Sequence, residues 1–231
     1  MMFKPKHKKF PVDAAIFDLD GTIIDSIGIY YKIVEAVLEK LGLPQVSKAD
    51  LRNATENGQF DWSVIFPEEI KENEEELIKN AWKIAEEISP KMFRDKVKLI
   101  PGAADVLTRV SESGIKLAVV TSTPQKNMTA KLKPLIESGI SHLMEEIITA
   151  DDTTRTKPAA DPVLECNKRL GIAAGKSVYV GDMRLDIKAG KAAGTKTIGV
   201  LTGFDDFESL KTEKPDAIIK SIAELHQAFL S

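Results

Sequence analysis

The chain has 231 residues, enough to bury a large core as one domain or as a domain that carries an insert. Its 43% hydrophobic and 29% charged residues are ordinary for a globular protein in water. A net charge of −3 argues against a nucleic-acid partner, and no stretch approaches the ~20 apolar residues of a membrane span. No signal peptide is evident, and the lone Cys166, expected in the core, suits the reducing cytoplasm.

The first motif lies near the N-terminus, where the apolar run Ala14–Asp18 leads into Asp20-Gly21-Thr22. A short apolar run is typical of a strand buried on both faces, so Asp18 and Asp20 belong at its C-terminal edge. Open parallel sheets bind ligands at this edge. Two carboxylates facing one site repel unless a shared proton or a cation separates them, and Mg²⁺ is the cation that fits best. The alternative is a plain turn at Asp20-Gly21, with Asp18 capping a helix.

A helical pattern without strand signals follows, over roughly residues 25–97. An apolar stripe with helical spacing runs from Ile29 to Leu41 and stops at Gly42. Ser47 and Asp50 offer caps for a short helix. Pro67 suits the first turn of a longer helix, which carries apolar residues from Ile70 to Ile88.

Beyond residue 98 the pattern changes to alternating helices and strands. One helix opens at Pro101-Gly102 and closes at Gly114, and others are predicted over Asp161–Leu170 and Leu185–Ala193. Strands are predicted over Ile115–Val120, Glu146–Thr149, Ser177–Val180, Lys196–Val200 and Ala217–Ile219. This order predicts an α/β fold, a Rossmann-like parallel sheet with helices on both faces. The core then comprises residues 1–24 and 98–231, and residues 25–97 form an inserted helical domain.

Three further strand ends carry polar groups with possible chemical roles. Thr121-Ser122 follows the second long strand, and strand-end hydroxyl and N–H groups can bind phosphate oxygens. Lys157-Pro158 places a cation in a loop before a helix, and Gly181-Asp182-x-x-x-Asp186 follows a strand. Each motif has an ordinary structural alternative: a helix N-cap before Pro124, a surface lysine, and an N-capped helix.

The order and placement of these four motifs resemble the haloacid dehalogenase-like hydrolase superfamily, over nearly the whole chain. The helical insert between the first two motifs resembles the family's cap of the first type. The most similar subgroup contains phosphoglycolate phosphatase and β-phosphoglucomutase. The resemblance implies a phosphatase acting on a small phosphorylated metabolite. Because dehalogenases of the superfamily lack an acid at position 20, Asp20 and Asp182 favour phosphoryl transfer over carbon–halogen cleavage.

The resemblance also implies roles for individual residues. Asp18 would be the nucleophile that forms an aspartyl-phosphate, and Asp20 would serve as general acid and then general base. Mg²⁺ would be held by Asp18, by the backbone carbonyl of Asp20 and by Asp182, with Asp186 orienting a metal-bound water. The phosphate would be held by the residues of the second and third motifs, namely Thr121, Ser122 and the catalytic Lys157.

Two alternatives stay open beside the phosphatase. The first is a phosphomutase of the β-phosphoglucomutase type, and the second is a non-catalytic regulatory module on the same fold. The expected partner is a small-molecule phosphate ester, with no nucleic acid and no membrane, in a cytoplasmic monomer or homodimer. Trp62 and Trp82 are expected in the core of the cap. Three polar residues could face the active site from the cap, although a solvated loop is the favoured reading: Arg52, Asn53 and Asn57.

Overall fold

The computed structural model describes residues 11–55, 60–68 and 74–225. Its strands are β1 Ala14–Phe17, β2 Ile24–Asp25, β3 Lys98–Leu99, β4 Lys116–Val120, β5 Met144–Ile148, β6 Ser177–Gly181, β7 Lys196–Val200 and β8 Ala217–Ile219. Its helices are α1 Ile27–Leu41, α2 Lys48–Asn53, α3 Glu74–Lys96, α4 Ala103–Glu112, α5 Gln125–Glu137, α6 Asp161–Leu170, α7 Arg184–Ala193 and α8 Phe207–Thr212. The predicted bounds of α6, β7 and β8 are confirmed to the residue.

Six of the strands form one parallel sheet within the described part of the chain, in the order β5-β4-β1-β6-β7-β8. β1 lies in the middle and pairs in parallel with both β4 and β6. All four of its residues are buried, because both of its edges are bonded and both of its faces are covered. The predicted α/β fold with a parallel sheet is therefore confirmed.

Alternate residues of β1 belong to different sides of the core. Ala15 and Phe17 pack in the cluster that includes α4 and α5, whereas Ala14 and Ile16 pack in the cluster that includes α6 and α7. This period of two is the geometry of an extended strand. Since helices cover both faces of the sheet, the prediction of a doubly covered sheet is also confirmed, and the strand ends are left as the place for a ligand.

All the regular structure described between β2 and β3 is helical. α1 ends at Leu41, and Gly42, with a left-handed backbone (φ 67°), follows it as the C-cap where the predicted stripe stops. α2 begins after Ser47, and the two residues predicted as caps, Ser47 and Asp50, form a reciprocal capping box. α1 packs against α3, and Trp62 is buried between aromatic neighbours. The predicted start of the long helix at Ile70 lies outside the described residues.

A small antiparallel ribbon joins the two connections between the sheet and the helical segment. Ile24 pairs with Leu99 and Asp25 with Lys98, and the Ile100 N–H extends the pairing by donating to the Ile23 carbonyl at 2.9 Å. The absence of strand structure predicted from residue 25 is wrong for Asp25. A two-residue strand contains too few side chains for a period of two to be visible in the sequence.

The single cysteine is a core residue, as predicted. Cys166 lies on α6 and is fully buried, and burial raises the pKa of its thiol to about 12. A thiol kept protonated in this way is a poor nucleophile.

Among the helices of the described residues, none combines the length and the apolar character that crossing a membrane requires.

Candidate active site

Three neighbouring strands end at the same level of the sheet and bring their motifs together. Phe17 of β1 lies level with Val119 of β4 and Val180 of β6. The next backbone N–H, that of Asp18, donates to the Val180 carbonyl at 2.8 Å, so Asp18 leaves the sheet beside the end of β6. Parallel pairing therefore places residues distant in sequence at one edge.

Three buried carboxylates meet at this edge. Asp18, Asp182 and Asp186 each offer an oxygen within 4.8 Å of the others, and each is less than a tenth exposed. Lys157 lies among them, with Nζ 2.6 Å from Asp18 Oδ1 and 2.7 Å from Asp186 Oδ1. The alternative of a surface position for Lys157 is excluded by its burial. An all-oxygen set of this kind is suited to a hard divalent cation.

Asp182 is fixed by two hydrogen bonds and by close backbone contact. Its Oδ1 accepts from Thr22 Oγ1 at 3.2 Å, and its Oδ2 accepts from the Phe204 N–H at 2.9 Å. A Cβ at Gly203 would lie 1.7 Å from Asp182 Oδ2, and one at Gly21 would lie 2.8 Å from the same oxygen. Only glycines at these two positions leave room for the carboxylate.

Asp186 combines a structural and a site position. Its Oδ2 accepts from the Met183 N–H at 3.0 Å, so the alternative in which it caps the next helix is correct as well. Its Oδ1 accepts from Lys157 and from the Tyr179 hydroxyl at 3.1 Å. Because both oxygens already accept protein hydrogen bonds, Asp186 is held rigidly beside Asp18.

Burial dominates the electrostatics of the cluster. It raises the pKa of Asp18 from 3.8 to about 7; Lys157 opposes this shift, and the carboxylates of Asp186 and Asp20 add to it. Burial likewise raises the pKa of Asp182 well above its usual range. Burial alone would lower the pKa of Lys157, but Asp18 and Asp186 outweigh it and keep the ammonium charged. The cluster holds more negative charge than one lysine can balance.

The hydroxyls after β4 line the same site. Thr121 is buried, and its Oγ1 donates to Thr123 Oγ1 at 3.1 Å, whereas Ser122 is exposed to the cavity above the strand ends. The alternative that this motif caps the following helix is wrong. Pro124 occupies the N-cap of α5, and no side chain caps the helix there. The first helical N–H, that of Gln125, instead donates to Asp151 Oδ2 at 2.7 Å.

Asp20 contacts a residue that the sequence motifs did not reveal. Lys131 is buried on α5, and its Nζ lies 2.5 Å from Asp20 Oδ2, 2.5 Å from the Tyr30 hydroxyl and 2.8 Å from Thr123 Oγ1. Asp20 Oδ1 is buried and has no hydrogen-bond partner among the described residues. A signal was present in the sequence, because Lys131 stands between Met128 and Leu135 at the helical spacing of the buried face.

A cavity of about 1080 Å³ opens above the strand ends and reaches under the helical segment. Trp62 and Trp82 both contribute to its wall. Trp62 is fully buried as predicted, whereas Trp82 is 43% exposed, so the prediction of a core position is wrong for Trp82. Arg52 instead pairs with Asp206 at 2.8 Å, and neither it nor Asn53 is part of the cavity wall. Asn57 lies outside the described residues.

With this geometry established, similarity to known proteins decides the family. Residues 15–200 match the family described as haloacid dehalogenase-like hydrolase. The chain belongs to this family. The resemblance noted from the four motifs is thereby confirmed, and this hydrolase carries the family's motifs at the ends of β1, β4 and β6 and in the loop before α6.

Curated relatives and solved structures agree with the assignment of this hydrolase. It is 28% identical to phosphoglycolate phosphatase of Escherichia coli K12 over 228 residues, which cover 90% of this chain and 89% of that protein. A predicted phosphoglycolate phosphatase from Haemophilus somnus matches with a TM-score of 0.78 at 24% identity, over 94% and 97% of the two chains. A candidate β-phosphoglucomutase from Thermotoga maritima matches with a TM-score of 0.70 at 25% identity, over 92% and 96%.

Proposed function

We propose that the protein is a Mg²⁺-dependent phosphatase that hydrolyses a phosphate monoester through an aspartyl-phosphate on Asp18. Its family and its curated relatives make it a phosphoric monoester hydrolase. The observation that carries the finer proposal is the convergence of Asp18, Asp182 and Asp186 within 4.8 Å around Lys157. The non-catalytic alternative is not retained, because the chain belongs to a hydrolase family and holds this complete set of groups.

The proposed metal site rests on charge and on the type of donor. Four carboxylates face two ammonium groups here, an excess of two negative charges when all are ionised: Asp18, Asp20, Asp182 and Asp186 against Lys131 and Lys157. Buried charge must be compensated, and Mg²⁺ prefers oxygen donors. Asp18, the Asp20 carbonyl and Asp182 would hold the ion. When bound, it would polarise the phosphoryl oxygens and let an anionic nucleophile approach them.

The two half-reactions follow from the placement of Asp18 and Asp20. A carboxylate oxygen of Asp18 attacks phosphorus while the bond from phosphorus to the ester oxygen breaks, and Asp20 gives its proton to the leaving alkoxide. Water then attacks the phosphorus and loses a proton to Asp20. The bond between phosphorus and Asp18 breaks, which releases phosphate and restores both carboxyl groups.

The surrounding groups hold the phosphoryl unit in this scheme. Lys157 offers a buried cation, and Thr121 and Ser122 offer hydroxyl and N–H groups at the end of β4. Fixed donors of this kind stabilise charge that develops in a transition state. Asp186 does not contact the phosphoryl unit in this scheme: it holds Lys157, and it would help to orient a water on the ion when the ion is bound.

Residues 25–97 are proposed to form a cap over residues 1–24 and 98–231. The cavity supports this assignment, because its floor carries Asp18 and Asp20 and part of its wall comes from α1 and α3. A cap that closes over bound substrate would exclude water from the strand ends. The lone buried cysteine also favours a cytoplasmic location, and a monomer or a homodimer is expected.

The test of the nucleophile has a matched control at the other end of the same strand. Asp18→Asn is expected to abolish Mg²⁺-dependent release of phosphate from p-nitrophenyl phosphate while the far-ultraviolet circular dichroism stays unchanged. Asp13→Asn makes the same chemical change at an exposed residue just before β1 and is expected to keep full activity. Undiminished turnover by Asp18→Asn would reject Asp18 as the nucleophile.

A phosphomutase is separated from a phosphatase by its product. The likeness to a candidate β-phosphoglucomutase keeps this alternative open. Incubation with β-glucose 1-phosphate and Mg²⁺ is expected to give free phosphate. Accumulation of glucose 6-phosphate without free phosphate would favour the mutase.

A further inference from the structure

The wall of the cavity changes in character with distance from the strand ends. The floor is polar, with Asp18, Asp20 and the hydroxyls that follow β4. The part under the helical segment is rich in aromatic side chains, which we call the aromatic lobe: Tyr30, Phe60, Trp62, Trp82, Phe93 and Phe204. Pockets with apolar walls and a few fixed polar groups are typical of small-molecule sites. The lobe adjoins the polar floor, because the Tyr30 hydroxyl and Asp20 Oδ2 contact the same Lys131 ammonium.

The rings of the aromatic lobe contact one another in two groups, one around Trp62 and one around Tyr30. The centroids of Phe60 and Trp62 are 4.7 Å apart, and those of Trp62 and Trp82 are 6.0 Å apart, both in edge-to-face arrangement. Tyr30 contacts Phe93 at 5.1 Å in the same manner. Side chains held by each other form a preformed surface, against which a flat or bulky apolar group gains contact area at little entropic cost.

The cation best placed to recognise an acidic substrate is already fully bonded. An ammonium group has three N–H donors, and those of Lys131 are directed to Asp20 Oδ2, the Tyr30 hydroxyl and Thr123 Oγ1. A substrate carboxylate at this point would have to displace one of these partners. It would also approach the carboxylate of Asp20, which repels it.

The other basic residues of the cavity wall, within the described ranges, each lie beside an acidic side chain. Lys157 is held by Asp18 and Asp186. The remaining three have acidic neighbours, in the pairs Lys126 with Glu86 at 3.0 Å, Lys133 with Glu137 at 3.6 Å and Arg94 with Asp95 at 3.8 Å. The lobe offers a neutral donor instead, because the indole N–H of buried Trp62 has no hydrogen-bond partner among the described residues.

We propose that the substrate is the phosphate monoester of a bulky, uncharged alcohol with an aromatic or other apolar body. The proposal rests on the proposed phosphatase function and concerns the same site. It separates this chain from its relatives named phosphoglycolate phosphatase, because phosphoglycolate is a small ester with a carboxylate. The size of the cavity, the ring surface and the full bonding of the buried Lys131 all point the same way.

The test compares three primary alkyl phosphates, so that the chemistry of the leaving group stays nearly constant. They are 2-phenylethyl phosphate, 2-phosphoglycolate and ethyl phosphate, assayed for phosphate release with Mg²⁺. We expect kcat/KM for 2-phenylethyl phosphate to exceed both others by at least about 10-fold, since burial of one aromatic ring is worth that much. Equal or better use of 2-phosphoglycolate would overturn the proposal and leave the phosphatase function standing. If the protein hydrolyses none of these three esters and does not hydrolyse p-nitrophenyl phosphate, both proposals fail.

A pair of variants locates the recognition in the aromatic lobe. Trp82→Ala removes a partly exposed ring of the lobe, and Phe207→Ala removes an equally exposed ring of α8 outside the cavity wall. The ratio of kcat/KM for 2-phenylethyl phosphate to that for ethyl phosphate is expected to fall about 3- to 10-fold in Trp82→Ala. It is expected to stay constant in Phe207→Ala. General damage to the fold would lower both rates together, so an unchanged ratio in Trp82→Ala would contradict the proposal.

Discussion

The substitution Gly203→Ala tests whether the position of Asp182 depends on the absence of a Cβ atom at Gly203, in the loop after β7. A Cβ at this position would lie 1.7 Å from Asp182 Oδ2 and 2.1 Å from its Cγ, so these atoms cannot coexist as they stand. Either the carboxylate moves or the loop does. Movement of the loop also displaces the Phe204 N–H, which donates to the same oxygen at 2.9 Å. Both responses disturb Asp182.

The expected magnitudes follow from the crowding and from the proposed metal site. Forcing extra volume into a packed site costs about 1–3 kcal/mol, so we expect the free energy of unfolding to fall by about 2 kcal/mol. A misplacement of about 1 Å at a reacting site can cost about 100-fold in rate. We therefore expect kcat/KM to fall by at least about 100-fold and half-maximal activity to require more Mg²⁺.

Urea denaturation and phosphate release over a range of MgCl₂ concentrations measure these effects. Gly28→Ala is the matched control, because Gly28 lies on α1, is exposed and has no atom within 4 Å of an added Cβ. It is expected to keep activity and to gain about 0.5–1 kcal/mol of stability, as alanine does in a helix. A Gly203→Ala variant with the stability, rate and Mg²⁺ dependence of the parent would refute the reasoning.

Two further predictions concern the charges of the site. Lys131→Met is expected to lower kcat/KM for alkyl phosphates by about 10- to 100-fold, because Lys131 then no longer holds the Asp20 carboxyl group in position for proton transfer. 2,4-Dinitrophenyl phosphate, whose leaving group needs no proton, should lose much less, and equal losses would contradict this role. The second prediction concerns stability in EDTA. The pKa of Asp18 is raised from its ordinary value of 3.8 to about 7 in the folded protein, so between these pH values the folded state binds more protons than the unfolded state. The parent should therefore lose stability relative to Asp18→Asn as pH rises from about 4 to 7 in chemical denaturation, and a relative gain would disprove the shift.

The sheet and the acidic edge could be predicted because both depend on local signals. A buried parallel strand is a short apolar run, and a carboxylate can follow it only where the chain leaves the sheet. Asp18 and Asp182 obey this rule at the ends of β1 and β6. Strand pairing then brings them together without any further information, since the register fixes both ends at one level.

The contacts missed in the sequence are those in which a long side chain bridges separate elements. Lys131 reaches Asp20 from the middle of α5, and Tyr30 reaches the same ammonium from α1. Helical spacing shows that Lys131 faces inward, but it does not show which carboxylate lies opposite. Phe204 was missed for a similar reason, because it enters the cavity from a loop after β7 that carries no motif.

Strand register positions the groups that carry out the reaction, whereas tertiary packing positions the groups that select the substrate. The carboxylates stand on residues whose positions follow from strand register, so family membership is informative about the reaction. The aromatic lobe is made by α1, α3, the segment that carries Phe60 and Trp62, and the loop at Phe204, and the approach of these parts depends on tertiary packing rather than on a motif. An ammonium fully bonded to Asp20, Tyr30 and Thr123 cannot receive a substrate carboxylate without losing a partner. The names of the relatives therefore bear on bond cleavage at phosphorus, whereas the identity of the alcohol must be determined from the cavity of this chain.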